Sequence, residues 1–479
     1  MFPSYSTLIR CAILVVLAYF QLPARARCDC SVDVLEQRLG NRMSTESLAK
    51  LLFSEDKTVR QLAILGLGDF GPDAVEFRPT LTMLLHHSDP DVRGAALSSL
   101  RLVGPTREAM PAVCELLDSG DSGVRVIAAE VLRDLGTDAR GAASRLLRRA
   151  QSDRSPLVRA EAVAALAHVG SGDPSVAEVL SDILVKTEEV VFVRNSAARA
   201  LSGIQELSEN ARNRLATIAE MSACPSCWVL DPERPWEEER VLLKLDAAAA
   251  LSNHTPLARF PTCLVEAFQR NTGSATIRTR IAEIWSEQPS WRTPRAVDLM
   301  IESVSTWRAG NVKEHRVAFA SINTLGTVAA PSRRIVDELS LAVSAGGGRH
   351  THAALAALAE FGSAASPARD RIEQMLRSPK PDVRILAAEV LWRMDSEASL
   401  VLPVLSECLE TEATGSPFEC GFVRRKQGAW VRAKAAQLLG EIGPAARSEL
   451  PKLEKCLDDE FGSVRRAVKS AINLITGGS

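Results

Sequence analysis

The sequence predicts an all-α chain, a solenoid of about twelve stacked helical hairpins. Three observations predict it. A Val-Arg pair, followed by small residues and then Leu or Ile, recurs along the chain. Its basic residue stands at Arg60, Arg93, Arg125, Arg159, Arg194, Lys244, Arg278, Arg384, Arg432 and Arg465, and the first four steps are 33, 32, 34 and 35 residues. Such self-similarity at a fixed period marks a repeat architecture rather than a set of separate domains. The second observation is a helical stripe: Val124, Ile127, Ala128, Val131, Leu132 and Leu135 fall on one face at a period near 3.6. The third is the Gly-Pro pair at Gly71, Gly104 and Gly443, where a helix must stop before the next begins.

Taken in order, residues 1–26 read as an export signal. Arg10 precedes the apolar stretch Cys11–Leu22, Pro23 breaks it, and Ala24-Arg25-Ala26 supplies a small-x-small cleavage site. The stretch is shorter than the ~20 residues a membrane span requires. The expectation is cleavage near Ala26 and a secreted or periplasmic mature chain without a transmembrane span; an uncleaved anchor is the alternative. Residues 27–44 are expected to form a capping segment, and residues 45–479 the solenoid. Each first helix carries an apolar set such as Met110, Val113, Leu116 and Leu117, with Pro111 near its start, where a missing N–H costs nothing. Neither helix of a unit buries its stripe alone, so stacking makes one continuous core. The interval of 106 residues from Arg278 to Arg384 accommodates three steps, filled by weaker units near His315 and Thr351.

The run Asp-x-x-Val-Arg-x-x-Ala-x-x-x-Leu, as in Asp89–Leu100, together with the Gly-Pro turns, resembles HEAT repeats, particularly the short variety of the phycobilisome lyases. The resemblance extends over roughly residues 45 to 475. It implies a right-handed α-α superhelix, with the recurrent Asp and Arg bridging adjacent repeats. It is far more specific for fold than for function.

The period breaks twice. Arg194 to Lys244 is 50 residues and Arg384 to Arg432 is 48, which places insertions near 222–240 and 411–429. Extra residues in a solenoid are expected as loops, often on a functional face. The first insertion holds Cys224-Pro-Ser-Cys227, with three readings: a local disulfide, a zinc site completed by His254 and Cys263, or a redox dithiol. Trp228 and Trp236 beside it are candidate interface anchors, or a cover for the neighbouring repeat. In the second, Arg424, Arg425 and Lys426 are candidates for an acidic partner, or a solvated loop. Arg145, Arg148 and Arg149 lie in a basic stretch from Arg133 to Arg159 that is a third candidate surface. Cys408 and Cys456 occupy equivalent core positions in successive first helices and are expected not to bond each other, because helices in such stacks lie ~8–10 Å apart. The pairing of Cys28, Cys30, Cys114, Cys263 and Cys420 stays open.

The mature chain would carry 55 basic and 59 acidic residues, without the basic excess of a nucleic-acid binder. Relatives by resemblance include bilin lyases and a hydroxylase built on His-Glu pairs, but this sequence contains no His-Glu dipeptide. It also lacks a phosphate-binding glycine loop, G-x-S-x-G and H-E-x-x-H. No catalytic, cofactor or metal residues are therefore assigned. The expectation is a non-enzymatic scaffold that binds a protein or peptide along its groove outside the cytoplasm. The alternative is a thiol-redox or metal-dependent protein, which includes a HEAT-like lyase or hydroxylase relative, centred on Cys224 and Cys227.

Overall fold

The computed structural model describes residues 30–170, 173–219, 230, 237–254, 260–345, 348–415 and 419–477. Helix α1 (Ser31–Leu39) is followed by helical pairs. The first are α2 (Thr45–Leu51) with α3 (Lys57–Phe70), α4 (Arg78–Leu84) with α5 (Pro90–Val103), α6 (Met110–Leu116) with α7 (Ser122–Leu135), and α8 (Ala143–Ser152) with α9 (Pro156–Val169). Next come α10 (Pro174–Val185) with α11 (Val191–Ser202), α12 (Glu209–Ala219) with α13 (Glu238–Ser252), α14 (Phe260–Arg270) with α15 (Ala275–Glu287), and α16 (Pro294–Arg308) with α17 (His315–Gly326). The last are α18 (Arg333–Ser344) with α19 (Arg349–Phe361), α20 (Arg369–Met375) with α21 (Pro381–Asp395), α22 (Ala398–Cys408) with α23 (Gly421–Ile442), and α24 (Leu450–Lys455) with α25 (Gly462–Thr476). The described chain thus holds twelve units and no strand.

Successive second helices pack directly on one another, whereas successive first helices touch less. The array therefore curves with its second helices on the inner wall. One continuous apolar core runs from Cys30 to Ile475. The Gly-Pro stops behave as their chemistry demands. Gly71 and Gly443 end α3 and α23 at φ 64°, ψ −132° and φ 68°, ψ −138°. A Cβ is strained there, so Gly443→Ala is expected to cost about 1–3 kcal/mol in urea unfolding.

The recurrent arginine does a local job in addition to the bridging that the resemblance implied. In six units its guanidinium donates to the carbonyl six residues earlier: Arg60 to Ser54, Arg93 to His87, Arg125 to Ser119, Arg159 to Asp153, Arg384 to Ser378 and Arg465 to Asp459, at 2.6–2.9 Å. It thereby satisfies carbonyls orphaned where the first helix ends, and fixes the turn within its own unit. The recurrent aspartate is also local: Asp56, Asp89 and Asp121 accept backbone N–H groups at the start of their own second helices. Bridges between units are added at only some positions. Arg125 meets Asp153 at 2.8 Å and Arg432 meets Asp459 at 2.7 Å; Arg159 meets Glu189 at 2.6 Å, and Arg278 pairs with Glu314.

Burial alone would raise the carboxyls of Asp153 and Glu189, yet Arg125 and Arg159 hold both below their ordinary values. A carboxyl depressed in the folded state stabilises above its unfolded value, near 4, and that contribution disappears as pH falls through the folded value. The urea midpoint is accordingly expected to decline as pH drops below about 4, and to decline less steeply in Arg125→Met.

The second insertion is a correction to the expected loop. Residues 421–429 are the first turns of α23, which makes it the longest helix described, at 22 residues. Cys420 caps it by accepting the Val423 N–H. The stretch before it lies alongside, with Thr414 N–H on the Arg424 carbonyl at 3.1 Å. Contact is close: a Cβ on Gly428 would sit 2.5 Å from the Glu412 carbonyl oxygen. Arg432 still reaches the Thr411 carbonyl across the insertion, so the turn chemistry of the unit survives intact.

Candidate interaction surfaces

The extension of α23 brings the two ends of the solenoid together. Phe70 of α3 lies 4.8 Å from Phe422 and 5.6 Å from Phe461, centroid to centroid. All three rings are fully buried. Polar contacts surround them. Asp33 of α1 accepts the Phe422 N–H at 3.0 Å, and Asp73 accepts the N–H of Ser463 and its hydroxyl. Two acidic side chains from the N-terminal units thus cap the starts of α23 and α25, where orphan N–H groups and the helix dipole favour negative charge. Arg425 reaches Glu36 at 2.7 Å and Glu460 at 3.5 Å, and Lys426 donates to the Asp69 carbonyl. The solenoid is a closed ring.

This clasp overturns the reading of the second insertion as a surface for an outside partner. Arg425 is 14% exposed and faces the chain's own acids, because the extra helical turns project it across the gap. Lys426 is turned inward with it, and burial lowers its ammonium pKa despite the nearby Asp69 and Asp73. Arg424 is half-buried in the same turn. Arg425→Glu is expected to weaken closure by about 1.5–3 kcal/mol, and Glu36→Arg in the same chain to restore part of it. The read-out is the compactness of the chain by small-angle scattering.

The basic stretch is likewise largely self-satisfied. Arg149 pairs with Asp118 and Asp153, Arg145 donates to the Cys114 carbonyl at 2.8 Å, and Arg133 meets Glu161 at 2.6 Å. These contacts tie successive units together, so Arg145 and Arg149 serve the stack. Arg148 is exposed. Cys224, Cys227, Trp228 and Trp236 lie outside the described residues, as does the export segment. Cys408 is buried, whereas Cys456 is half-buried and directs its thiol at the Leu409 carbonyl.

The inner wall shows what periodicity alone could not. Its second helices are stitched by ion pairs: Arg101 to Glu130, Arg133 to Glu161, Arg199 and Arg280 to Asp246, Arg393 to Glu360 and Lys434 to Glu389, at 2.6–3.2 Å. Among the described residues no ion pair joins α15 to α17 or α17 to α19, and the same holds of α9 with α11 and of α23 with α25. At α15, α17 and α19 a cleft of about 440 Å³ is lined by Glu283, Arg316, Phe319, Asn323 and Arg349 among others. Glu283 and Glu287 are occupied by Arg280. Arg316 is exposed and makes no ion pair among the described residues. Arg349 lies 4.9 Å over the Phe319 ring, with His315 Nδ1 at 3.2 Å. Behind Phe319, His350 stacks on Trp307 at 4.1 Å and bonds the His315 carbonyl at 2.9 Å. Burial lowers the His350 pKa, aided by His315 and Arg349, so it is neutral packing rather than a charge. His352 points away to Asp382 at 2.8 Å.

A larger cleft of about 740 Å³ lies between α16 and α18, but its charges are matched. Arg308 holds Glu338, and Arg334 holds Asp298. Among the described residues no group of three metal-ligating side chains forms and no helix is long and apolar enough to cross a membrane.

The family model described as HEAT repeats matches residues 31–101, 77–167 and 110–202. No curated protein sequence matches the chain. Among solved structures, the chain is similar to an engineered protein at 22% identity, over 43% of this chain and 97% of that one, with a TM-score of 0.32. It is similar also to yeast importin-beta at 12% identity, over 98% of this chain and 65% of that one, with a TM-score of 0.46.

Proposed function

This chain is a HEAT-repeat solenoid, and from that premise we propose that it is a non-enzymatic scaffold that binds an acidic protein segment on its inner wall, outside the cytoplasm. The observation that carries the reading is the cleft at α15, α17 and α19, where Arg316 makes no ion pair among the described residues and Arg349 lies over the Phe319 ring. There, Arg316 and Arg349 flank Phe319 beside an open cleft. Two guanidinium groups and an aromatic face suit carboxylates carried on an extended peptide, which gains bidentate hydrogen bonds and stacking together. A closed ring adds rigidity, so little ordering cost remains on the protein side.

The test is peptide selection. Acidic and neutral peptide libraries displayed on phage are panned against the full chain, and the recovered peptides are titrated against Arg316→Glu/Arg349→Glu. Acidic peptides are expected to dominate and to lose at least ~10-fold in affinity, given about 1.5–3 kcal/mol per charged hydrogen-bonded contact. Recovered peptides that bind the double variant as well as the parent would refute the site. The extracellular part of the reading rests on the Arg10–Ala26 segment. N-terminal mass analysis of the exported chain checks it, with a start near Arg27 expected.

A further inference from the structure

We propose that Cys30 and Cys420 form a disulfide that welds the two ends of the solenoid into a covalent ring. The two residues belong to opposite ends of the chain, yet they occupy matching places: Cys30 is the N-cap of α1 and Cys420 the N-cap of α23. Both are buried in the clasp. They converge on one residue, Asp33. Its backbone N–H faces the Cys30 sulfur, and its carboxylate lies within hydrogen-bonding reach of the Cys420 thiol. The same carboxylate holds the Phe422 N–H at 3.0 Å, and a Cβ built on Gly421 would stand 3.8 Å from it. The α1 and α23 backbones therefore approach at the two caps, which is the arrangement that a bridge with Cα atoms within ~7 Å needs. Asp69 also contacts this corner, accepting the Cys30 thiol at 3.5 Å and the Ser31 N–H at 2.8 Å. Ring closure by Phe70, Phe422 and Phe461 brings the two caps together before any bond forms.

The chemistry requires an oxidant of the low-molecular-weight disulfide class, such as glutathione disulfide. One cysteine thiolate attacks a sulfur of glutathione disulfide, expelling one glutathione thiolate and leaving a mixed disulfide. The second thiolate attacks the protein sulfur of that mixed disulfide and expels the other glutathione. Two protein thiols have then lost two protons and two electrons, and one glutathione disulfide has become two glutathione thiols. Burial pushes the Cys30 thiol up to about 11, and burial with the Asp33 carboxylate raises Cys420 further. Exchange in the closed ring is therefore slow, because the thiolate is the reacting species. The bond forms while the ends are still docking, and once formed it is shielded from reductant.

The experiment uses the full chain, denatured, refolded in a glutathione redox buffer, alkylated and digested without reduction. The expected product is a cross-linked peptide containing Cys30 and Cys420 that separates on reduction. The denatured oxidised chain should run faster than the reduced chain on a gel, because most of it lies inside one loop. Cys420→Ser should abolish both signals while leaving other thiols unchanged. Recovery of Cys30 and Cys420 as alkylated peptides, or of either joined to Cys28 or another cysteine, would overturn the proposal. The peptide map of the unmodified sequence decides the matter even where the serine variant folds poorly. Neither outcome bears on the acidic-peptide site, whose residues lie elsewhere on the ring.

Discussion

Phe70→Ala is expected to open the ring and to lower stability by about 3–5 kcal/mol, the usual range for deleting a buried phenylalanine side chain. Phe70 is fully buried and touches both Phe422 and Phe461, which makes it an apolar link between the N-terminal and C-terminal units. Its loss leaves a cavity at the one place where the two ends meet. Closure also orders the last helices through the Asp33 and Asp73 caps, and those caps need the rings in register. Urea unfolding and small-angle scattering measure the two effects separately. Phe422→Ala should reproduce the opening with less loss of stability in the N-terminal units, since Phe422 belongs to the extension rather than to the first core. A Phe70→Ala chain as compact as the parent would show that the rings are passengers of a contact made elsewhere.

Asp246→Ala is expected to cost about 3–5 kcal/mol, the range for removing one partner of a buried ion pair. Asp246 is 1% exposed and accepts Arg280 at 2.6 Å and Arg199 at 2.9 Å. It thereby joins three successive second helices, α11, α13 and α15, beside the first insertion. Burial acts to lower the Arg280 pKa, but Asp246 and Glu287 outweigh it and raise the value. Removing Asp246 leaves a guanidinium in the wall with only the half-exposed Glu283 and Glu287 as partners. The informative companion is Asp246→Leu/Arg280→Met. Apolar groups of similar volume replace buried ion pairs at little net cost, so the double variant should recover most of the lost stability in urea. A double variant as unstable as Asp246→Ala would point to lost packing rather than to stranded charge.

Much of the architecture is written in the sequence, because a repeat states its own period. The Val-Arg positions mark the second helices, and the Gly-Pro pairs mark their ends. What periodicity cannot state is how far the array curves, since curvature accumulates from small differences between inner and outer helix contacts. Closure was therefore hidden, and with it the meaning of Arg425 and Lys426. Read locally, a basic run after a glycine suggests a solvated loop. Phe422, Val423 and Ala429 continue the helical spacing into α23, however, and that was the available signal of an extension. The local role of the repeat's aspartate and arginine stayed hidden beside their bridging for a related reason. A fixed spacing shows that two residues cooperate, but a contact six residues back and a contact one repeat ahead leave the same spacing. The inner-wall cleft was legible only by its exceptions. Arg316 and Arg349 lie in the weakest units, where the recurrent Val-Arg pair fades.

The measurement that tests closure most directly is the distance between the two ends of the chain in solution. Spin labels introduced through unnatural amino acids at the exposed positions Glu76 and Lys469 would report it by pulsed electron resonance. A closed ring predicts one short, narrow distance distribution that broadens and lengthens in Phe70→Ala. A broad, long distribution in the unaltered chain, unchanged by that substitution, would contradict the ring.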